Sequence, residues 1–155
     1  MPKGFKKHRL IAFLFLFTLL SDQFSKLFIV KNLYVGERIN ILPFFNLVHV
    51  RNKGITFGLL SGSLQPIVLV ILSLVIVAFL INYAHKNKNY RPFLSLIIGG
   101  AIGNIIDRIV YGSVVDFLDF HLGRHHWPAF NIADSAIVIG VFILFFISYS
   151  EEKNE

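Results

Sequence analysis

The sequence predicts an all-α membrane fold: four transmembrane helices, a small extracytoplasmic β-sheet or cradle, and both termini cytoplasmic. Three observations lead there. Hydrophobic residues make up 55% of the 155-residue chain, with 17 phenylalanines among them. A soluble domain of this size has no room to bury so much apolar surface, so the expected solvent is lipid. Four apolar runs each approach the roughly 20 residues a helix needs to cross about 30 Å of hydrocarbon. Lysine and arginine gather in short segments between those runs, as membrane topology demands.

The first run covers about residues 10–30 and is interrupted by "SDQFSK". Its basic start resembles a secretory signal peptide. No small-x-small cleavage site follows, and the apolar run resumes at residues 27–30, so it reads as a retained helix. The other runs cover about 66–84, 92–111 and 132–149. Lys3, Lys6, Lys7 and Arg9 precede the first helix, and Lys86, Lys88 and Arg91 fill the short loop between the second and third. Alternating helices place both groups on one side, and the positive-inside rule makes that side cytoplasmic. The opposite side receives two longer segments, about 31–65 and 112–131. In the first, "NLVHVRN" alternates as a strand does, and Gly54, Gly58 and Gly62 punctuate the residues after it. A hairpin or small sheet resting on the outer membrane surface is the expectation, all within one integral membrane domain spanning 1–155.

Composition narrows the chemistry. The chain has no cysteine, which excludes disulfide scaffolds, thiolate metal sites and cysteine nucleophiles. Its net charge of +6 belongs to membrane topology, so nucleic acid is not an expected partner. His121, His125 and His126 near Asp119 lack the helical spacing of a metal site and read as a hydrated loop with interfacial Trp127. Neither a metal nor a cofactor is expected. Ser21, Ser25 and Ser135 have no evident partnering base.

Polar residues inside the apolar runs carry the functional signal. Asp22 and Lys26 lie in the outward half of the first helix. Asn104, Asp107 and Arg108 lie in the last turns of the third. Asp116 follows that helix, and Asn131 and Asp134 open the fourth. All fall in one layer near the outer boundary of the bilayer. Exposing such groups to lipid costs roughly 2.5–3.5 kcal/mol each, so they are expected to face one another. Structural readings stand beside the functional one. Asp22 with Lys26, and Asp107 with Arg108, also read as ion pairs that fix packing. Asn131 also reads as a helix cap, with Asp134 as a first-turn charge.

Asp116 and Asp134 are the carboxylates least explained by local pairing, and they flank one outer loop. Two carboxylates brought together beside lipid do not both ionise readily; one pKa rises and the pair shares a proton. Such a dyad activates water, one Asp taking its proton while the other protonates the leaving amine. A transporter or proton channel would use the same carboxylates as a relay. It would spread polar groups across the bilayer depth, whereas the cytoplasmic halves here are apolar and no internal repeat is present.

"SDQFSK", "RNKGITFG", "GGAIGNIIDRIVYGSVVDFLDF" and "WPAFNIADSAIVIG" occur in this order. They resemble the motif boxes of lipoprotein signal peptidase (signal peptidase II), a family of bacterial intramembrane aspartyl peptidases, over about residues 10–149. The resemblance implies catalysis by Asp116 and Asp134, in the GxVxDF and FNxAD boxes. It implies that Asp22, Lys26, Asn52, Gly54, Gly100, Asn104, Asp107, Arg108 and Asn131 shape and support the site. It also implies prolipoprotein substrates, cut before a diacylglyceryl-modified cysteine, inhibition by globomycin, and the bacterial inner membrane with the site on its extracytoplasmic face. Nothing demands more than a monomer. One departure is Thr56, where the family more often has alanine; tuned packing is the expected effect.

Overall fold

The computed structural model describes residues 3–54 and 65–153. Gly58, Gly62 and Thr56 lie outside the described residues.

Four helices are long and apolar enough to cross a membrane. The first, α1 (Lys3–Asn32), runs unbroken through "SDQFSK". Asp22 and Lys26 stand four residues apart, pair on the inward face and are buried, so the charges do not end the helix. α2 spans Gln65–Lys86 and α3 spans Arg91–Tyr111. α3 starts with a proline in its first turn and stops at Gly112, whose positive φ lets its N–H reach the Arg108 carbonyl. α4 spans Ile132–Glu152 and begins with a capping box: the Asn131 side chain accepts from the Asp134 N–H, and the Asp134 side chain accepts from the Asn131 N–H.

α3 is the central helix. It packs against α1, α2 and α4, and half of its most apolar stretch is buried, against 6% for α2. α2 presents Val75, Ile76 and Phe79 outward, the surface a lipid-facing scaffold needs.

The sheet differs from the expectation in one respect. Strands β1 (Arg38–Leu42) and β2 (Phe45–Asn52) form the hairpin anticipated from residues 31–65. The longest strand, however, is β3 (Val114–Leu122), and a short β4 (His125–His126) comes after it; both arise where the sequence reads as a hydrated loop. The four strands run antiparallel in the order β1-β2-β3-β4. "VVDFLDF" does not alternate because β3 is covered on both faces: Val114 through Phe117 and Asp119 are all buried. Val115 and Phe117 pack on Ile29 and Leu33 at the end of α1. This contact joins the sheet to the bundle and places Asp116 at their junction.

Candidate active site

Two adjoining elements deliver the two carboxylates. β3 leaves the end of α3 and carries Asp116, only 1% exposed. The first turn of α4 carries Asp134. Asn131 touches both. Its side-chain Nδ2 donates to Asp116 Oδ1 at 2.7 Å. Its backbone N–H donates to Asp134 Oδ2 at 3.3 Å. The capping role and the site role therefore belong to the same residue.

The remaining oxygens are also held. Asn52 Nδ2 donates to Asp116 Oδ2 at 2.8 Å, and Asn104 Nδ2 donates to Asp134 Oδ1 at 2.8 Å. Each of the four dyad oxygens thus accepts one hydrogen bond from an amide. A carboxylate oxygen accepts more than one, so lone pairs are left for a water. Burial pushes the Asp116 carboxyl up from 3.8 to about 6, and the nearby Asp134 charge adds to it; the hydrogen bonds from Asn52 and Asn131 pull the other way.

The amides do not hold themselves. Lys26 Nζ donates to Asn104 Oδ1 at 2.8 Å, so Nδ2 of that amide faces Asp134. The Gly54 N–H donates to Asn52 Oδ1 at 2.8 Å, which turns Nδ2 toward Asp116. Gly54 makes this turn at φ +96°, a conformation that side chains other than glycine's disfavour.

Below the dyad lies a buried charge cluster. Lys26 Nζ sits 2.8 Å from Asp22 and 3.1 Å from Asp107. Asp22 also accepts the Ala133 N–H at 2.8 Å, and Asp107 accepts the Val115 N–H at 2.9 Å. These carboxylates thus pin α4 and β3, on either side of the dyad, to the helix bundle. The Asp107–Arg108 ion pair considered from sequence is not formed. Asp107 turns inward to Lys26, while Arg108 reaches back to the Asn104 carbonyl at 3.2 Å. Adjacent helical residues point in different directions, so their opposite charges need not meet. Arg108 lies within electrostatic range of Asp134 and Asp116, and its buried Nε has no hydrogen-bond partner.

Gly100 acts through packing. A Cβ there would stand 2.5 Å from the Ala133 carbonyl, so glycine lets α3 approach the first turn of α4. Sequence reasoning missed its counterpart, Gly103, where a Cβ would stand 2.5 Å from Asp22 Oδ2. It also missed Gln23, whose amide lies 3.2 Å from Asp22, Asp107 and the Gly103 carbonyl. The available signal was position: Gln23 adjoins Asp22, and Gly103 adjoins Asn104.

Farther along β3, Asp119 accepts from Asn46 at 2.8 Å and pairs with His126 at 2.8 Å. Burial alone would raise its pKa, but the Asn46 and His126 contacts together hold it below the usual value. Among the described residues no group of three or more His, Asp or Glu side chains is placed to hold a metal ion.

Residues 14–150 match the family model described as Signal peptidase (SPase) II. The chain belongs to the signal peptidase II family. Its similarity to curated lipoprotein signal peptidases is extensive. With that of Cupriavidus taiwanensis it is 46% identical over 139 residues, 86% of this chain and 78% of the relative. With that of Burkholderia thailandensis it is 40% identical over 136 residues, 84% and 82% of the two chains. A solved structure titled a bacterial membrane enzyme, at 2.3 Å resolution, superposes with a TM-score of 0.83 at 31% identity, covering 94% of this chain and 90% of that one. A second, at 1.9 Å, gives 0.80 at 32% identity over 88% and 90%. Signal peptidase II is an aspartic peptidase family, and this chain is a multi-pass membrane member of it.

Proposed function

We propose that this signal peptidase II removes the signal peptide from prolipoproteins, cleaving before a diacylglyceryl-modified cysteine with Asp116, Asp134 and one water. The carrying observation is Asn131, which hydrogen-bonds one carboxylate through its side chain and the other through its backbone. That arrangement favours a shared proton and a water held between the pair. One carboxylate takes a proton as the water oxygen attacks the scissile carbonyl carbon. The other gives its proton to the carbonyl oxygen. Collapse of the tetrahedral intermediate breaks the C–N bond, and the leaving cysteine amine takes up a proton from the dyad. Arg108 and the amide-bearing residues stabilise the charges that move in these steps. Asp22, Lys26 and Asp107 keep the amides aimed, and Gly54 and Gly100 provide the close backbone approaches.

The topology supports the same reading. Both termini are cytoplasmic, the sheet lies on the extracytoplasmic face of the bacterial inner membrane, and the dyad sits at that boundary. A substrate with a transmembrane signal segment and acyl chains on its cysteine brings its scissile bond to this depth. β1, β2 and β3 form the cradle beside it. The enzyme works as a monomer without a cofactor, and globomycin occupies the same cleft.

The test is prolipoprotein processing followed by gel shift. Asp116→Asn and Asp134→Asn proteins insert in the membrane but lose cleavage by a factor on the order of 10³. Near-normal processing by either variant refutes the assignment.

A further inference from the structure

Asp116 is enclosed, with Asn52 and Asn131 on its two oxygens, whereas Asp134 is only half-buried. The open side of the dyad is therefore that of Asp134. Counting down α4 from this residue, Val138, Val141 and Phe145 follow after four, seven and eleven positions. At 3.6 residues per turn those intervals return each side chain to the face that carries Asp134. All three are more than half exposed, while Ala133, Ala136 and Gly140 are buried on the other side of the helix. That other side meets the bundle: the Ala133 N–H is held by Asp22 of α1, and a Cβ at Gly140 would touch Ile97 of α3. Below Asp134 lies an apolar groove of about 430 Å³, lined by Ile137, Val138, Val141, Phe142 and Phe145.

The packing of the helices shows how the groove is reached. α2 and α4 both pack on α3 and, among the described residues, not on each other; α1 packs on α3 and α4 but not on α2. α1 thus closes one flank of α4, and no helix closes the flank toward α2. The groove is a lane open to lipid. It descends from Asp134 to Phe145 by roughly 16 Å, about half of the hydrocarbon thickness. Its lining holds no polar side chain, so an occupant at this depth is an apolar helix whose outer end meets Asp134. The precursor has one such element, the signal segment, which leaves the scissile bond inward through hydrocarbon. Helices in lipid associate by close packing, and a surface of stiff valines between phenylalanines gives a partner helix a definite seat.

We infer that this face of α4 is the docking track of the signal segment, and that Val138, Val141 and Phe145 set its register so that the scissile bond stops at Asp134. The inference deepens the peptidase assignment and rests on it, since the track is named from Asp134.

Cysteine crosslinking tests it. The chain has no cysteine of its own, and the lipobox cysteine of the precursor is blocked by its diacylglyceryl group, so each partner carries one introduced thiol. Val141→Cys or Phe145→Cys is placed in the full-length Asp116→Asn enzyme, and single cysteines are scanned through the signal segment of the precursor. Under oxidation in membranes, both variants form adducts, and the reactive signal position moves by about four residues toward the precursor's N-terminus between Val141→Cys and Phe145→Cys. Ile139→Cys, exposed to lipid on another face of α4, forms none. Equal adducts from Ile139→Cys, no adduct at any position, or enzyme–enzyme adducts through Val141→Cys overturn the track. In the wild-type background, Val138→Trp raises KM for the full precursor roughly tenfold through overpacking of the seat, with kcat changed far less. Ile139→Trp leaves both unchanged, and equal effects of the two tryptophans also overturn the track. Crosslinking needs no catalysis, so cleavage by Asp116→Asn refutes the dyad alone and leaves the adduct pattern to judge the track.

Discussion

Lys26 Nζ lies 2.8 Å from Asn104 Oδ1, and that contact, with a longer one from Asn131 Nδ2 at 3.3 Å, sets which end of the Asn104 amide faces Asp134. An ammonium only donates, so the oxygen turns to Lys26 and the NH₂ turns to the dyad. The same device appears at Asn52, where the Gly54 N–H takes the oxygen and leaves the NH₂ for Asp116. The site therefore has two layers. Amides hold the carboxylates, and fixed donors hold the amides. Preorganisation of this kind limits the rearrangement needed when charge develops during reaction.

Lys26→Met removes the charge that separates Asp22 from Asp107 and releases the Asn104 amide. Leaving buried carboxylates without their cation costs about 3–5 kcal/mol. The variant is expected to unfold at a markedly lower temperature in detergent and to cleave poorly. Adding Asp22→Asn relieves part of the excess negative charge and recovers stability, but not rate, because Asn104 keeps only the longer contact from Asn131 at 3.3 Å. Recovery of both in the double variant would argue against the orienting role.

Asn52→Ala tests the first layer. The Asn52 hydrogen bond lowers the Asp116 pKa from what burial would impose, so its removal moves that pKa above about 6. The alkaline limb of kcat/KM against pH, where the shared proton is lost, is expected to shift upward by on the order of one unit. Activity at pH 8 then suffers less than activity at pH 6. A profile that only scales down, with its alkaline limb unmoved, contradicts the assignment of that limb to Asp116.

Asp116 should also leave a signature in stability. Its folded-state pKa of about 6 exceeds the ordinary 3.8, so the folded protein binds this proton more tightly than the unfolded chain does. The stabilisation is present in full below the ordinary carboxylate range and is lost as pH rises through about 6. A gap of roughly two units corresponds to at most about 3 kcal/mol. Asp116→Asn does not titrate. Between pH 4 and pH 7 the difference in unfolding free energy should therefore move by up to about 3 kcal/mol in the variant's favour. A difference independent of pH would mean that the carboxyl is not perturbed.

The four helices were legible because lipid imposes length and composition, and neither depends on distant contacts. Asp116 and Asp134 were legible for a related reason, since costly charges without local partners stand out. β3 was not legible. Covered on both faces, it lacks the alternation that marks a half-buried strand. The salt-bridge pattern was only half legible: Asp22–Lys26 lies within one helix face, whereas Lys26–Asp107 exists only once α1 and α3 pack. The tight glycine contacts depend on helix separation, which a single sequence does not encode locally. Gly100 is reached through its motif; Gly103 stands in the same box beside Asn104, but nothing in the sequence shows that Asp22 packs against it.

Gly103→Ala puts that missed contact to the test. The added methyl would stand 2.5 Å from Asp22 Oδ2, the oxygen that pairs with Lys26 Nζ at 2.8 Å. Asp22 has little room to retreat, because its other oxygen holds the Ala133 N–H at 2.8 Å. Either α3 moves away from α1 or the carboxylate leaves Lys26. Overpacking of this size costs about 1–3 kcal/mol, and the disturbance passes through Lys26 to Asn104 and Asp134. The expected result is a lowered unfolding temperature together with a loss of cleavage larger than the unfolded fraction explains. Prolipoprotein gel shift and thermal unfolding on the same purified sample check it. Wild-type behaviour in both would show that the α1–α3 contact is loose and that Asp22 is not held where it is needed.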